Sequence, residues 1–338
     1  MPSLFSKRLL PILQLTRMAL VFTAISNSVC AMLLLAKTYP TKGGSPWDLL
    51  TAWNLAAVVV MSIGMYGFGM SLNDIIDRRR DAQISPGRPL PSGRIGVRAA
   101  HIICLMMAFL AMTGAVAYAW NTSMWPMTIV YAAATLVLIA FYDFAGKYLV
   151  APGILALGLI RFFHAVVAAP QIPLFWHPLL LMNHVVVLSA VCYRLEEKRP
   201  TMTRGHWWAV ILGLLAADLL CVAAVWWRRF PRSGSTLEAL ALSPGLLYPL
   251  AALVGFLVAA GVVVRRSSDP RSAGQTLMLL GLLWLIVYDV AIVAGCVNLT
   301  AAVVQAMLLP VAYLAVQAMR WWGRLVAISQ PPRYMRAR

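Results

Sequence analysis

Three aspartates between residues 73 and 81 have the residue type and the spacing of a cation site. The chain has 338 residues and only 11 acidic side chains, and Asp74, Asp77 and Asp81 are three of them. On a helix they lie at i, i+3 and i+7, on one face within two turns. Carboxylates grouped in this way repel one another unless a cation lies among them, and oxygen ligands suit Mg²⁺. The segment predicts a Mg²⁺ site, and local Asp–Arg pairing at a charged helix end is the alternative.

The composition places these aspartates in an integral membrane protein. Hydrophobic residues make up 61% of the chain and charged residues 12%, unlike an ordinary soluble domain. Several apolar runs are about 20 residues long, enough for a helix to cross the bilayer. The predicted fold class is an all-α, multi-helix transmembrane bundle with about ten helices. These span residues 18–36, 49–72, 97–118, 124–142, 151–169, 174–193, 207–227, 244–264, 276–295 and 300–319.

The net charge of +17 indicates a membrane surface rather than nucleic acid. Most Lys and Arg residues lie between the apolar segments, where cytoplasmic loops and anionic lipid headgroups favour them. With the N-terminus inside, the ten-helix arrangement puts the aspartate segment on the cytoplasmic side of an inner or plasma membrane. The expected partner is therefore the lipid bilayer, with no nucleic acid.

The aspartate segment runs into a basic, turn-rich stretch, Gly-Arg-Pro-Leu-Pro-Ser-Gly, at residues 87–93. Asn-Asp-x-x-Asp-x-x-x-Asp followed by Arg-Pro-Leu-Pro-Ser-Gly resembles the first aspartate motif of the UbiA superfamily of membrane prenyltransferases. The resemblance implies a nine-helix core and transfer of a prenyl group from a prenyl diphosphate to a lipid-phase acceptor. It also implies that Asp74, Asp77 and Asp81 are catalytic and bind Mg²⁺. Asn73 and Arg88 would contact the diphosphate.

Two further cations are candidates for the same diphosphate. Lys147 follows Tyr142 in the family's Tyr-x-x-x-x-Lys pattern, although an ordinary loop lysine is the alternative. Arg161 lies inside the fifth predicted helix, where a charged residue is costly and normally faces the bundle interior or a polar cavity. Snorkelling to an interface is the alternative for Arg161. We interpret His164, one turn further on, as a satisfied interior histidine rather than a base.

The family's second aspartate motif is absent after the sixth predicted helix. Glu196 and Glu197 occupy its place, and since adjacent residues point apart on a helix, at most one would face a metal. Glu196 is the candidate metal ligand, and surface ion pairing with Lys198 or Arg199 is an equally good interpretation. An intact first motif with a degenerate second one resembles the EboC-type UbiA-like branch.

These observations lead to one predicted architecture and two candidate functions. We predict a single transmembrane domain over 1–338, with a UbiA-like half carrying the motifs at 12–200 and further membrane helices at 201–338. The first function is Mg²⁺-dependent prenyl transfer to an unidentified acceptor. The alternative is a catalytically degenerate UbiA-like protein that binds, or helps export, an isoprenoid or other amphiphile. The missing second motif favours the alternative, and the intact first motif opposes it.

Overall fold

A computed structural model describes residues 9–38, 49–122 and 126–329 of the chain, with side chains up to residue 322. Every regular element in these ranges is helical, which confirms the predicted all-α class. The α-helices are α1 (Leu10–Leu15), α2 (Val21–Thr38), α3 (Ala52–Ile76), α4 (Arg78–Ile84), α5 (Val97–Thr122), α6 (Met127–Phe144), α7 (Val150–Val167), α8 (Trp176–Leu195), α9 (Arg204–Arg229), α10 (Thr236–Ala239), α11 (Leu247–Arg266), α12 (Pro270–Cys296), α13 (Leu299–Ala306) and α14 (Leu308–Ser329).

Ten helical segments of the described ranges are long and apolar enough to cross a membrane, as the sequence predicted. The last of them, Leu299–Trp322, combines α13 with most of α14. The predicted start of the fourth helix at residue 124 lies outside the described residues. One boundary differs in a way that matters: α3 ends at Ile76 rather than at residue 72. The chain is a multi-pass membrane protein whose aspartate segment begins inside a membrane-length helix.

Glycines bring α3 and α5 into direct backbone contact. A Cβ added at Gly64 would lie 2.7 Å from the Met107 carbonyl oxygen, and one added at Gly114 would lie 2.6 Å from the Met61 amide nitrogen. Neither distance leaves room for a side chain, so only glycine permits this approach, as at other close helix crossings in membranes. Buried side chains such as Tyr118 fill the core beside the crossing. The contact fixes α3, and with it the aspartates at its end.

Asp289, inside α12, is paired within the bundle, as an acid in a membrane span must be. It accepts hydrogen bonds from Ser26 Oγ (2.7 Å) and Asn27 Nδ2 (2.7 Å) of α2, and it pairs with His177 Nε2 of α8 (2.8 Å). The Cys30 thiol lies beside them, so that one Cys, one His and one Asp ligand atom fall within 4.8 Å of one another. Because protein donors already engage the carboxylate, this network connects α2, α8 and α12 without any further ligand.

Candidate functional site

The aspartate segment continues from α3 into α4 with only a slight break at Asp77. Asp77 caps the end of α3 and precedes α4, yet the helical hydrogen bonds continue across it. Asp77 N donates to Asn73 O (2.9 Å), and Asp81 N donates to Asp77 O (2.8 Å). Helical phase is therefore kept, and the three predicted carboxylates project from adjacent positions at one end of the bundle.

Asp74 and Asp81 share one arginine. Arg88 Nη1 lies 2.5 Å from Asp81 Oδ2 and 3.6 Å from Asp74 Oδ1. Arg17, just before α2, adds a second cation, with its Nη2 3.0 Å from Asp74 Oδ1. Both carboxylate residues are buried, at 4% and 3% exposure, whereas the two arginines remain partly accessible. The predicted contact residue Arg88 thus lies at the aspartates, together with Arg17, which was not among the predicted site residues.

Asp77 belongs to a second group around Lys147. Lys147 Nζ lies 2.9 Å from Asp77 Oδ1 and 3.6 Å from Asp143 Oδ1, near the end of α6. Asp143 is almost completely buried, and it too was absent from the predicted set. Lys147 therefore occupies a position between two carboxylates, which an ordinary loop lysine would not.

The Asn73 amide completes this second group. One of its terminal atoms lies 3.1 Å from Asp143 Oδ1, 3.2 Å from Asp77 Oδ2 and 3.3 Å from Lys147 Nζ. Two of these three neighbours are acceptors, so we assign the atom as the amide nitrogen, which donates to both carboxylates. Rotation of the amide would present its oxygen instead, as a neutral ligand for a cation.

A cleft of about 430 Å³ opens beside Asp74. Its wall is formed by Gln14, Arg17, Asp74, Ser85, Gly87, Arg88, Pro89 and Arg94. Arg94 stabilises the loop between α4 and α5 by donating to Gly87 O (2.6 Å) and to Gln14 Oε1 (2.7 Å). The cleft has the size of a small-ligand site, and three arginines with one carboxylate on its wall suit an anion that arrives with a cation.

Two predicted site residues are not brought to the cluster. Arg161 donates to Asn27 and Thr23 of α2, and no ion pair joins it to the three predicted aspartates in the described part of the chain. Glu196 ends α8 and pairs with Lys198 (3.1 Å), which corresponds to the surface ion pair considered from the sequence. The structure therefore gathers the aspartates with Asn73, Arg88 and Lys147, and leaves Arg161 and Glu196 apart from them.

The fold and the motif geometry agree with a match of the sequence to a known family. A model of the UbiA prenyltransferase family matches residues 28–286, which is more than half of the chain. The chain belongs to the UbiA prenyltransferase family. The matched segment contains the whole carboxylate cluster apart from Arg17.

Individual UbiA relatives resemble this chain either over a short segment or at low sequence identity. The 4-hydroxybenzoate octaprenyltransferase of Aeromonas hydrophila subsp. hydrophila is 31% identical over 102 residues, which are 30% of this chain and 33% of that protein. The chain thus matches one third of that relative's length. A solved structure of digeranylgeranylglyceryl phosphate synthase shares the fold, with a TM-score of 0.57 at 13% identity over 86% of this chain and 98% of the other. A UbiA homolog from Archaeoglobus fulgidus bound to GPP and Mg²⁺ gives a TM-score of 0.43 at 14% identity over 84% and 99%.

The donor set of this UbiA member fits Mg²⁺. Asp74 and Asp81 share Arg88, and Asp77 and Asp143 share Lys147, so two carboxylate pairs are each arranged around a cation. Mg²⁺ is commonly held by one or two carboxylates together with substrate phosphates. Each pair supplies that number of hard oxygen donors.

Proposed function

We propose that this UbiA-family protein transfers a prenyl group from a prenyl diphosphate to an acceptor in the lipid phase, in a Mg²⁺-dependent reaction. The observation that carries the proposal is the cluster of four aspartates, three of them deeply buried, interleaved with Arg17, Arg88 and Lys147 at one end of the bundle. A protein that only binds or exports an amphiphile has little need for such a cluster. That observation favours transfer over the carrier alternative.

The reaction breaks the bond between the first prenyl carbon and a diphosphate oxygen, whose electron pair leaves with the diphosphate. The prenyl carbon then bonds to the acceptor nucleophile, which loses a proton. Asp74, Asp77 and Asp81 would hold Mg²⁺, which supplies charge neutralisation for the leaving diphosphate. Arg88 and Lys147 would turn from their carboxylates to phosphate oxygens and stabilise the charge that develops there.

The charge balance of the cluster predicts cooperative binding. Four carboxylates face three basic side chains, and the Asn73 amide donates to two of the carboxylates. A diphosphate entering alone would meet carboxylates, and a metal entering alone would meet cations. Prenyl diphosphate and Mg²⁺ should therefore each increase the affinity for the other.

Three finer assignments also belong to the proposal. Because the second aspartate motif is degenerate around Glu196, we assign the chain to the EboC-type branch of the family. The division at residue 200 separates the motif-bearing half from the remaining helices. The charge distribution puts the motif loops on the cytoplasmic side, so cysteines introduced at Ser92 and Ser235 in a cysteine-free variant should be labelled from opposite sides of the membrane.

The central experiment measures diphosphate release by the purified protein with Mg²⁺ and prenyl diphosphates of several chain lengths. We expect release by the native protein and a loss of about 100-fold or more in Asp77→Asn, because one ligand charge is removed. The matched control is Asp269→Asn, since exposed Asp269 caps α12 by accepting from Ser272 N (2.9 Å), also accepts from the neighbouring Ser268 Oγ (3.1 Å), and asparagine also caps helices. Binding of every donor without any release by the native protein would support the carrier alternative instead.

A further inference from the structure

The cleft beside Asp74 has one basic side chain that does not pair with the aspartates, Arg94. The guanidinium donates from Nη1 to Gln14 Oε1 (2.7 Å), from Nη2 to Gly87 O (2.6 Å) and from Nε to Ser92 Oγ (3.1 Å). All three acceptors are neutral, and Arg94 forms no ion pair within the described residues. Its positive charge therefore borders the cleft without a carboxylate to balance it.

The other two arginines of the cleft are already paired. Arg17 Nη2 lies 3.0 Å from Asp74 Oδ1, and Arg88 lies between Asp74 and Asp81. Burial lowers the pKa of Arg94 from its ordinary value, and no carboxylate in the described ranges offsets this effect. An anion that enters the cleft would supply the opposite charge that Arg94 lacks.

The wall that carries Arg94 is held in place by apolar packing. Leu15 of α1 packs with Leu90 and Ile95 of the loop between α4 and α5, and all three side chains are buried. This packing places Gln14 against the loop, where its side-chain oxygen accepts from Arg94. A guanidinium has five N–H donors, and Arg94 uses three of them within the described residues, which leaves two for a ligand.

The cleft leads outward from the aspartates. Asp74 lies in the last turn of α3, whereas Ser85, Gly87 and Arg94 belong to the loop between α4 and α5, and Gly87 is exposed. A prenyl chain is apolar and partitions among the membrane helices. A diphosphate held at the aspartates therefore has its prenyl-linked phosphate towards the bundle and its terminal phosphate towards the cleft.

Arg161 resembles Arg94 in having neutral partners, but it does not line the cleft. It donates to Asn27 Oδ1 (3.1 Å) and Thr23 Oγ1 (3.3 Å) of α2. One turn further along α7, neither ring nitrogen of buried His164 has a hydrogen-bond partner in the part of the chain that the structure describes, which corrects the expectation of a satisfied interior histidine. Of the two arginines, Arg94 is the one that borders the cleft.

We propose that Arg94 binds the terminal phosphate of the prenyl diphosphate and makes the protein select diphosphates over monophosphates. Gln14 is a positioning residue, because it orients the guanidinium. The inference rests on the proposed function and adds the residue that distinguishes the two phosphate headgroups. The planar guanidinium matches two oxygens of a phosphate. A monophosphate held at the aspartates has no second phosphate for Arg94 to bind.

The test compares two unreactive ligands that differ by one phosphate, geranyl S-thiolodiphosphate and geranyl S-thiophosphate. Their affinities are measured for the full-length protein in nanodiscs with Mg²⁺. The native protein should bind the diphosphate at least about tenfold more tightly, because the terminal phosphate gains charged hydrogen bonds. Arg94→Gln should weaken the diphosphate about tenfold and the monophosphate less than about twofold.

Two further variants separate ligand binding from stabilisation of the loop. Arg94→Lys keeps the positive charge and gives up the guanidinium geometry, so it should weaken the diphosphate by less than about threefold. A purely structural role of Arg94 predicts equal losses for Arg94→Gln and Arg94→Lys. Gln14→Leu removes an acceptor that orients Arg94 and should weaken the diphosphate about two- to threefold without affecting the monophosphate. The matched control is Arg98→Gln, because Arg98 is exposed in the first turn of α5 and does not line the cleft.

Equal weakening of both ligands in Arg94→Gln would overturn the proposal, and so would equal losses in the two Arg94 variants. If Arg94→Gln fails to fold, an unchanged ratio of the two affinities in Gln14→Leu would overturn it instead. A native protein that shows the Arg94-dependent preference but releases no diphosphate from any reactive prenyl donor would refute prenyl transfer and retain the role of Arg94.

Discussion

Lys147→Met offers a sharp test of the carboxylate cluster, because it removes the charge between two carboxylates and keeps most of the side-chain volume. Lys147 is 10% exposed at its side chain, and its partners Asp77 and Asp143 are 16% and 2% exposed. Removing one member of a buried ion pair costs about 3–5 kcal/mol, since the remaining charge stays buried and unpaired. Partial access of Asp77 to water favours the lower end, so we expect a loss of about 3 kcal/mol.

A double variant isolates the ionic part of this loss. In Lys147→Met with Asp143→Asn, one cation and one anion are removed together, so the two substitutions should cost about 1–3 kcal/mol less than the sum of the single ones. The matched control is Lys198→Met, because Lys198 pairs with Glu196 at the surface, with 42% of its side chain exposed. Exposed pairs contribute about 0–1 kcal/mol.

The assay is denaturant unfolding of each purified variant in the same detergent, followed by tryptophan fluorescence. Lys198→Met should be close to the native protein in stability and Lys147→Met clearly less stable, and the loss in the double variant should be smaller than the sum of the losses in Lys147→Met and Asp143→Asn. Equal midpoints for the two single lysine variants would refute the reasoning, and so would strict additivity of the Lys147 and Asp143 substitutions. Either result would mean that the cluster is solvated rather than buried.

Three further predictions concern other positions. Gly64→Ala should destabilise the protein by about 1–3 kcal/mol, because the added methyl group meets the α5 backbone. Gly261→Ala adds a methyl group where no atom lies within 4 Å, so it should not lower the stability in the same unfolding assay. Arg17→Gln should weaken prenyl diphosphate binding about tenfold, because one charged hydrogen bond is lost, and exposed Arg79→Gln should not; equal effects would exclude Arg17 from the site. Glu196→Gln should change the Mg²⁺ concentration needed for half-maximal diphosphate release by less than about twofold, as expected for a surface pair. Loss of the Mg²⁺ dependence would instead show that Glu196 is a metal ligand.

The membrane spans were predictable because hydropathy and bilayer thickness together fix where long apolar helices lie. The end of α3 was not predictable from hydropathy. The apolar run stops at Leu72, but the backbone continues as a helix through the polar Asn73 and Asp74. A polar residue at a helix end is tolerated when a neighbour supplies its partner, and hydropathy carries no information about neighbours.

Site contacts between residues close in the sequence could be predicted, whereas contacts between residues far apart in the sequence could not. Lys147 lies beside the aspartates, as expected, and its i, i+4 spacing from Asp143 was a signal available in the sequence. Arg17 gave no such signal, since its contact with Asp74 joins residues 57 positions apart. For Arg161 the sequence established the need for polar surroundings, but only the packing of α7 against α2 determines which groups provide them.

The glycine contact between α3 and α5 has a mechanical consequence. An interface of backbone against backbone has no rotamers to rearrange, so the two helices move as one unit. The loop that carries Arg88 is attached to this unit at both ends, through α4 and α5, whereas Lys147 belongs to the connection between α6 and α7. Relative motion of the helices would therefore separate Lys147 from Asp77 before it separates Arg88 from Asp81. The Arg88–Asp81 pair thus lies within one rigid unit, whereas the Lys147–Asp77 pair joins that unit to the connection between α6 and α7. Of the two ion pairs, the one made by Lys147 is expected to break first.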